Sequence, residues 1–340
     1  MSPVPSRAPA VLSLRALGLG DFLTALPALR AVADRFPEHR RVVAMPGELE
    51  PLARLAGVAD EVLPIRGRAA VVPLADAWRA GPGRRDVDLD VAVNLHGRGP
   101  ESHQALLALH PRRLVAFAHP DVGASRHGPA WREDEHEVAR WCRLLEESGI
   151  PADPDHLDLS PPAIQELSPA LAATVRGATV IHPGAASSAR RWPAERWADV
   201  ARDEHDHGHT VVLTGSAGET DLARSVAFAA GLPAHAVVAG RTSVLELAAV
   251  VAAAGALVSA DTGVAHLATA VGTPSVVLFG PTPPARWGPP PGRPIHRALW
   301  AGSGGDPHAD RPHPGLLAVT VEGVLAALAE VRAAPAVPAR

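Results

Sequence analysis

The sequence has few of the residues that build covalent or metal-based frameworks. Its single cysteine, Cys142, excludes an internal disulfide and any metal site built on several cysteines, and it agrees with a reducing compartment. The apolar stretch 11–32 is interrupted by Arg15, Asp21 and Arg30, so no run reaches the roughly 18 uncharged residues of a membrane span. It also lacks the pattern of a secretory signal. We therefore expect a cytoplasmic protein, with peripheral contact to the membrane face left open.

The chain also has no large excess of charge of either sign. The 36 acidic residues nearly balance the 32 basic ones, giving a formal net charge of -4, which disfavours nucleic acid as a partner. All basic residues are arginine, because the chain has no lysine. A length of 340 residues predicts two domains of about 150 residues each.

Short apolar runs alternate with helix-period segments, a pattern typical of parallel sheets built from βαβ units. A proline- and acid-rich stretch, 151–169, is the best candidate linker, which predicts domains at 1–160 and 161–340. In the first domain the pattern predicts strands at 11–14, 41–44 and 91–95, and helices at 22–36 and 136–148. Pro27 either kinks the first helix or lies in its first turn, with Thr24 as the cap.

The second half predicts a doubly wound domain of five strands. These strands are expected at 179–182, 210–214, 236–239, 256–259 and 275–279, with a terminal helix at 321–331. The pairs Ser216/Glu219 and Ser243/Glu246 have the spacing of capping boxes and predict two helix starts. The proline-rich segment after Gly280 predicts no regular structure.

The first segment that could carry chemistry is LRALGLGDFLTALPAL, residues 14–29. A strand ends in a turn bearing Gly18 and Gly20, and Asp21 follows at or just before a helix, so its carboxylate is expected at the ligand-binding edge of the sheet. Asp21 could instead serve only as a helix cap. The dinucleotide fingerprint is not satisfied, because Leu23 occupies the position of the third glycine.

The second segment is VIHPGAASSARRWPAERW, residues 180–197. A small-residue turn after a strand is followed by hydroxyls and two arginines, a composition that suits a phosphate. The alternative is a solvated loop in which the tryptophans pack. The residues concerned are Gly184, Ser187, Ser188, Arg190 and Arg191.

The third segment lies at 258–282. Asp261, Thr262 and Gly263 follow a strand and open a short helix, so its backbone amides and dipole could hold a diphosphate. His266 lies in the first turns of that helix and could donate to a phosphate or sugar oxygen. Taken singly, Asp261 is more often a helix cap, and His266 is more often a histidine of the core.

Two other features are weaker candidates. EHDHGH, residues 204–209, places histidines at alternate positions, but at a helix end these suit the helix dipole and need no metal. We therefore predict no metal site and no cofactor. Cys142 lies on a helical run, where burial is the default expectation.

With these segments in view, the chain resembles glycosyltransferase family 9, the heptosyltransferase family of lipopolysaccharide core synthesis. The matching pieces, in the family's order, are LGLGDFLTALPALRA, NLHGRGPES, HEVARW, IHPGAASSARRWPAERW and DTGVAHLATAVGTPSVVLFGPTPPARW. The resemblance implies an α/β fold of the GT-B type, with two Rossmann-like doubly wound domains facing across a cleft. It implies the acceptor mainly on the N-terminal domain and the nucleotide sugar mainly on the C-terminal one.

The resemblance also implies roles for individual residues. Asp21 would be the general base, and Arg190 would stand where family members commonly carry a donor-binding lysine. Glu219 would contact the nucleotide ribose, although it is equally the capping partner of Ser216. The donor residues implied are Gly184, Ser187, Ser188, Arg190, Arg191, Glu219, Asp261, Thr262, Gly263 and His266, and the acceptor residues are Gly18, Gly20, Asn94, His96 and Gly97.

The implied function is an inverting, metal-independent transfer of a sugar from a nucleotide diphosphate donor, ADP-heptose first among them, to a glycan or glycolipid acceptor. Two departures from the family stand out. Arginine replaces lysine at 190, and the loop near the C-terminus that carries a cysteine in many members has none here. The alternatives are a non-hydrolysing sugar-nucleotide epimerase and a catalytically silent nucleotide-sugar-binding protein.

Overall fold

The computed structural model describes residues 8–65, 74–81 and 88–334. The chain divides into two compact units, Met1–Leu157 and Asp158–Arg340, with the division inside the proline-rich stretch 151–169. Each unit is an α/β layer structure with one five-stranded sheet among its described residues. None of the helices in the described part of the chain is both long and apolar enough to cross a membrane.

All strand pairs in the sheet of the first unit are parallel. Its strands, in chain order, are β1 (Ala10–Leu14), β2 (Arg40–Met45), β3 (Glu61–Pro64), β4 (Leu89–Asn94) and β5 (Arg113–Val115). Their spatial order is β3-β2-β1-β4-β5. Leu12 of β1 pairs with Val42 on one side and with Ala92 on the other. The connections therefore change direction between β1 and β4, the position at which open α/β sheets bind ligands beyond the carboxyl ends of their strands.

The predicted helix at 22–36 is two helices in the structure. The helices of this unit are α1 (Leu19–Thr24), α2 (Leu26–Arg35), α3 (Glu50–Leu55), α4 (Leu74–Ala80), α5 (Glu101–Leu107) and α6 (Glu137–Glu147). Pro27 lies in the first turn of α2, one of the two positions that we expected. Thr24 does not cap α2, because its hydroxyl donates back to the carbonyls of Gly20 and Asp21.

The second unit repeats this arrangement with a second parallel sheet. Its strands are β6 (Thr179–His182), β7 (Val211–Leu213), β8 (Ala256–Ala260), β9 (Ser275–Leu278) and β10 (His296–Leu299), in the spatial order β10-β9-β8-β6-β7. The change of direction falls between β6 and β8, so the turns that follow these two strands are the expected ligand site.

Within the second unit, one predicted strand is wrong and one strand was not predicted. The run 236–239 begins inside a 3-10 turn at Ala234–Ala236 and, among the described residues, makes only one bridge, from Val237 to Leu213. The fifth strand is instead β10 at the sheet edge, just after the proline-rich segment, where it pairs with β9. The helices of this unit are α7 (Pro169–Val175), α8 (Ala194–Asp206), α9 (Thr220–Ala229), α10 (Val244–Ala253), α11 (Gly263–Val271), α12 (Pro284–Trp287), α13 (Pro314–Leu317) and α14 (Val321–Ala333).

The two predicted capping boxes mark helix starts, as expected. Ser243 accepts from the backbone N–H of Glu246, whose carboxylate accepts in return from the Ser243 N–H, at the start of α10. Ser216 and Glu219 enclose a 3-10 turn that leads into α9.

The terminal helix α14 is tied to the start of β6. Its Arg332 donates to the buried carboxylate of Glu204 on α8 and to the Thr179 hydroxyl, which also donates to Glu204. Glu204 is a buried charge, and burying it without partners would be costly. The three side chains therefore link α14, α8 and β6. The strand β6 leads directly into the turn at Gly184.

Candidate functional site

In the first unit, Asp21 lies in the first turn of α1, directly after the turn that follows β1. Its Oδ2 accepts the backbone N–H of Gly18 at 3.2 Å, and its Oδ1 accepts from Arg15 Nη2 at 3.2 Å. The side chain keeps 28% of its surface exposed, whereas that of Arg15 keeps 1%. Asp21 thus caps its own helix and also presents a partly exposed carboxylate at the switch point of the sheet.

Arg15 anchors the Asp21 turn to the end of β4. Its Nε donates to the backbone carbonyl of Asp21 at 2.9 Å, and its Nη1 donates to the Leu95 carbonyl at 2.6 Å. Its Nη2 also contacts Glu137 Oε1 at 3.0 Å. The guanidinium lies 4.8 Å from the ring centre of Trp141, a cation-π contact. The turn that carries the carboxylate is therefore anchored by Arg15 to the end of β4 and to α6.

The electrostatic environment of Asp21 favours proton uptake. Burial raises the pKa of the Asp21 carboxyl above its usual value; the positive charge of Arg15 opposes this rise, and the negative charge of Glu137 adds to it. The net result is a raised pKa. A carboxylate with a raised pKa is a better proton acceptor near neutral pH than an ordinary aspartate.

The expected acceptor residues beside Asp21 have unequal access to solvent. Gly18, Gly20, His96 and Gly97 are at least partly exposed, and a Cβ added to Gly97 would meet nothing within 4 Å. Asn94 is fully buried; its side chain donates to Ser102 and accepts the backbone N–H of His96. Asn94 therefore shapes the loop after β4 and has no surface to offer a ligand.

In the second unit, the turn after β6 lies against Glu219. A Cβ built on Gly184 would lie 2.1 Å from Glu219 Oε1, so only glycine fits here while the carboxylate keeps its place. Glu219 Oε2 accepts from the backbone N–H of Ser216 at 2.7 Å and from its hydroxyl at 2.8 Å. Although burial acts to raise it, these hydrogen bonds hold the pKa of Glu219 below its usual value, so the group is ionised at neutral pH.

His182 was missed as a site residue. It is the last residue of β6, and its Nδ1 lies 3.0 Å from the Thr214 hydroxyl while its Nε2 lies 4.0 Å from Glu219 Oε2. Burial lowers the pKa of His182, and the Glu219 carboxylate only partly opposes this. The neutral imidazole thus lies beside the Glu219 carboxylate, at a distance too long for a hydrogen bond.

Arg190 reaches the end of β8. Its Nη1 donates to the backbone carbonyl of Asp261 at 3.1 Å, which brings together the turn after β6 and the turn after β8. Its Nε is shielded from solvent and makes no hydrogen bond within the described residues. This cationic group is therefore placed at the switch point of the second sheet, with a donor still available.

The helix α11 begins beside this guanidinium. Its N-cap, Thr262, makes no side-chain capping bond, and the Thr262 hydroxyl is shielded from solvent and has no hydrogen-bond partner in the part of the chain that the structure describes. Gly263 is the first helical residue. Thr262 and Gly263 are partly exposed, so the amino end of α11 and its dipole lie where they could attract an anion, next to the charge of Arg190.

The other expected donor residues differ in what they can contribute. His266 lies on α11 with its ring 5.7 Å from that of Trp287 in an edge-to-face contact, which orients the imidazole. Arg191 is exposed, and its Nε donates to the Ala185 carbonyl. Ser187 caps the short turn Ser188–Arg190 through the Ala189 N–H. These contacts shape the loop around Arg190.

The remaining candidates from the sequence have structural explanations. His205 lies in the last turn of α8 and His207 caps it, with the His207 Nδ1 2.7 Å from the Asp203 carbonyl. Cys142 is buried on α6. Across residues 8–65, 74–81 and 88–334, no group of three or more histidine, cysteine, aspartate or glutamate side chains is arranged to hold a metal ion.

The arrangement in each unit suits one part of a group transfer. The first unit offers a carboxylate of raised pKa, which can take up a proton. The second offers a guanidinium, the amino end of α11 and a hydroxyl with no partner among the described residues, which can bind and neutralise a phosphate or diphosphate. Asp21, Arg190 and the turn 261–263 were expected from the sequence, whereas Arg15, Glu137 and His182 were not.

Comparison with known proteins adds the family context. The sequence model described as "Glycosyltransferase family 9 (heptosyltransferase)" matches residues 124–304, just over half of the chain. The lipopolysaccharide heptosyltransferase 2 of Escherichia coli is 35% identical over 106 residues. That match covers 30% of this chain and only 30% of the relative.

Solved structures match over nearly the whole chain. A glycosyl transferase family 9 protein from Veillonella parvula has a TM-score of 0.76 at 19% identity, covering 96% of this chain and 97% of that one. The E. coli ADP-heptose lps heptosyltransferase II has a TM-score of 0.74 at 20% identity, covering 95% and 98%. At such low identity these matches show the fold, and they confirm the GT-B class expected from the sequence.

Proposed function

Because this chain belongs to glycosyltransferase family 9, we propose that it transfers a sugar from a nucleotide diphosphate donor to a glycan or glycolipid acceptor. The observation that carries the proposal is a group of hydrogen-bond donors at the switch point of the second unit. There the Arg190 guanidinium meets the open amino end of α11, and two shielded donors, Arg190 Nε and Thr262 Oγ1, lack partners within the described ranges. A diphosphate supplies oxygen acceptors for both.

The proposed chemistry is an inverting displacement at C1 of the donor sugar. Asp21 takes the proton from the acceptor hydroxyl while that oxygen forms a bond to C1. The bond from C1 to the diphosphate oxygen breaks, and its electron pair leaves with the nucleoside diphosphate. The raised pKa of Asp21 supports this role, since a base is most effective when its pKa approaches the working pH.

Charge on the leaving diphosphate is neutralised in this proposal by protein groups alone. Arg190 supplies a permanent positive charge, and the first amides of α11 supply hydrogen bonds and the positive end of the helix dipole. His266, oriented by Trp287, donates to a phosphate or sugar oxygen. Glu219 is the capping partner of Ser216, and in this proposal it also contacts the nucleotide ribose, with Gly184 leaving room for its carboxylate.

ADP-heptose is the donor that we propose, and a lipopolysaccharide core glycan is the acceptor class. The support is the family itself and the likeness to an enzyme described as an ADP-heptose lps heptosyltransferase. The proposal also includes action in the cytoplasm, with peripheral contact to the membrane that carries a glycolipid acceptor.

The test is sugar transfer by purified Asp21→Asn protein and by wild type. We expect the variant to lose about 10²- to 10⁴-fold in kcat, because the amide cannot take the proton. Calorimetric affinity for ADP-heptose should be unchanged, and chelator should leave wild-type activity intact. The matched control is Asp34→Asn, an exposed aspartate on α2 that should keep full activity.

Three outcomes would contradict the proposal. Full transfer by Asp21→Asn would remove Asp21 as the base. Isomerised donor in an incubation without acceptor would show an epimerase instead. Tight donor binding by the wild type with no turnover against a broad acceptor pool would show a silent binding protein.

A further inference from the structure

A row of alternating charges extends from Asp21 into the interior of the first unit. Arg15 Nη2 lies 3.2 Å from Asp21 Oδ1 and 3.0 Å from Glu137 Oε1, and the Arg15 side chain is 1% exposed. Glu137 is itself buried. It lies 122 residues from Arg15 in sequence, in the first turn of α6, and among the contacts described it reaches Asp21 only through the guanidinium.

Two further residues of α6 contact the Glu137 carboxylate. Its Oε1 also accepts from Trp141 Nε1 at 2.9 Å, and its Oε2 pairs with Arg140. Arg140 Nη2 donates to the carbonyls of Arg132, Glu133 and Glu135, at 3.0 to 3.2 Å. With every one of these contacts made, the Glu137 carboxylate has one position, and it fixes the position of Arg15.

We propose that Glu137 is a positioning residue for Asp21 that acts through Arg15. Its carboxylate fixes the guanidinium that orients Asp21, and its negative charge offsets that of Arg15. Asp21 therefore stays in place without losing its affinity for a proton. The consequence for catalysis rests on the proposed function, in which Asp21 is the base.

The charge balance supports this role. Among the described residues, the charged side chains with the largest effect on the pKa of Asp21 are Arg15 and Glu137, and those with the largest effect on the pKa of Glu137 are Arg15 and Arg140. An isolated arginine at 3.2 Å would favour the ionised aspartate and weaken it as a base. Here burial is the largest cause of the raised pKa of Asp21. Arg15 opposes the rise, and Glu137 adds to it.

The first experiment needs no turnover. The Asp21 carboxyl is titrated by carbon NMR in protein labelled at the aspartate carboxyls, with Asp21→Asn identifying the resonance. In Glu137→Gln, which keeps the shape but removes the charge, we expect the midpoint to fall by about one pH unit, since a nearby like charge has been removed. Glu137→Asp, which keeps the charge, should stay close to the wild type.

The matched control is Glu135→Gln. Glu135 lies two residues away and pairs with Arg143 instead of Arg15, so its loss should leave the Asp21 midpoint in place. If Glu137→Gln alone does not fold, Glu137→Gln/Arg140→Gln removes both charges of that buried pair and should move the midpoint in the same direction. An Asp21 midpoint that is equal in wild type and in the folded variants that remove the Glu137 charge would overturn the proposal.

The second experiment follows transfer against pH. For Glu137→Gln we expect kcat to fall roughly tenfold and the acidic limb of its pH profile to move down with the NMR midpoint, while KM for the donor is unchanged. A purely structural role would lower the active fraction without moving the limb, and that result would refute the catalytic part of the inference. If wild type transfers no sugar at all, the proposed function fails, whereas the NMR comparison still decides whether Glu137 acts on Asp21.

Discussion

Adding one methyl group at Gly184 tests whether the turn after β6 holds the Glu219 carboxylate in place. In Gly184→Ala the new Cβ would lie 2.1 Å from Glu219 Oε1 and 2.2 Å from Cδ, far inside van der Waals contact. Both atoms belong to a side chain, so Glu219 must swing away while the backbone stays. The swing breaks the two hydrogen bonds that Glu219 Oε2 accepts from Ser216, at 2.7 and 2.8 Å.

The cost follows from those two bonds. A hydrogen bond to a charged acceptor contributes about 1.5 kcal/mol at the low end of its range, and the displaced carboxylate regains part of the loss by contact with water. Replacing glycine with alanine also restricts the unfolded chain, which offsets about 0.5 kcal/mol. We therefore expect Gly184→Ala to lower the free energy of unfolding of the second unit by about 2 kcal/mol.

Chemical denaturation of the intact chain measures this loss, and a double-mutant cycle assigns it. In Glu219→Ala the obstructing carboxylate is gone, so adding Gly184→Ala should cost less than about 0.5 kcal/mol. Gly218→Ala is the matched control, because its Cβ would meet nothing closer than the Ser216 hydroxyl at 4.0 Å. Equal costs of Gly184→Ala with and without Glu219 would refute this reasoning.

Two more predictions concern buried ionisable groups. Burial acts to raise the pKa of Glu204, but hydrogen bonds from Arg332 and Thr179 hold it below its ordinary value of 4.5, so the stabilisation is complete above that pH and is lost as pH falls through the lower folded value. Arg332→Ala should therefore cost about 2 to 3 kcal/mol near neutral pH, below the full value for a buried pair because Arg332 is 25% exposed. Urea midpoints should show that this deficit shrinks in acid, and a constant deficit would contradict the assignment. Burial raises the pKa of the Cys142 thiol to about 12, so iodoacetamide should leave it unlabelled by mass spectrometry in native protein and label it in urea. Labelling at equal rates in both states would show that the thiol is accessible.

The sequence was most informative about elements whose signal lies within their own few residues. Apolar runs located β1, β6, β8 and β9, and the Ser243/Glu246 spacing located the start of α10. It was misleading where pairing decides the outcome. The run 236–239 has strand-forming residues but makes only one bridge, whereas β10, with sequence HRAL, becomes a strand because β9 offers an open edge.

The candidate site divides in the same way. Asp21 and the turn 261–263 could be found because each directly follows a strand and opens a helix, which is a local signal. Glu137 could not be assigned a role, because its contact with Arg15 joins positions 122 residues apart and only the packing of α6 brings them together. Asn94 was expected to bind a ligand, but its buried side chain donates to Ser102 and accepts the His96 N–H.

The two shielded donors beside α11 have a thermodynamic consequence. Arg190 Nε and Thr262 Oγ1 give up their contacts with water when the chain folds and find no replacement in the described structure. A phosphate oxygen that reaches them therefore gains hydrogen bonds without displacing solvent from the protein side. Folding has already met that dehydration cost, so the melting temperature should rise more with an intact nucleoside diphosphate than with the nucleoside alone.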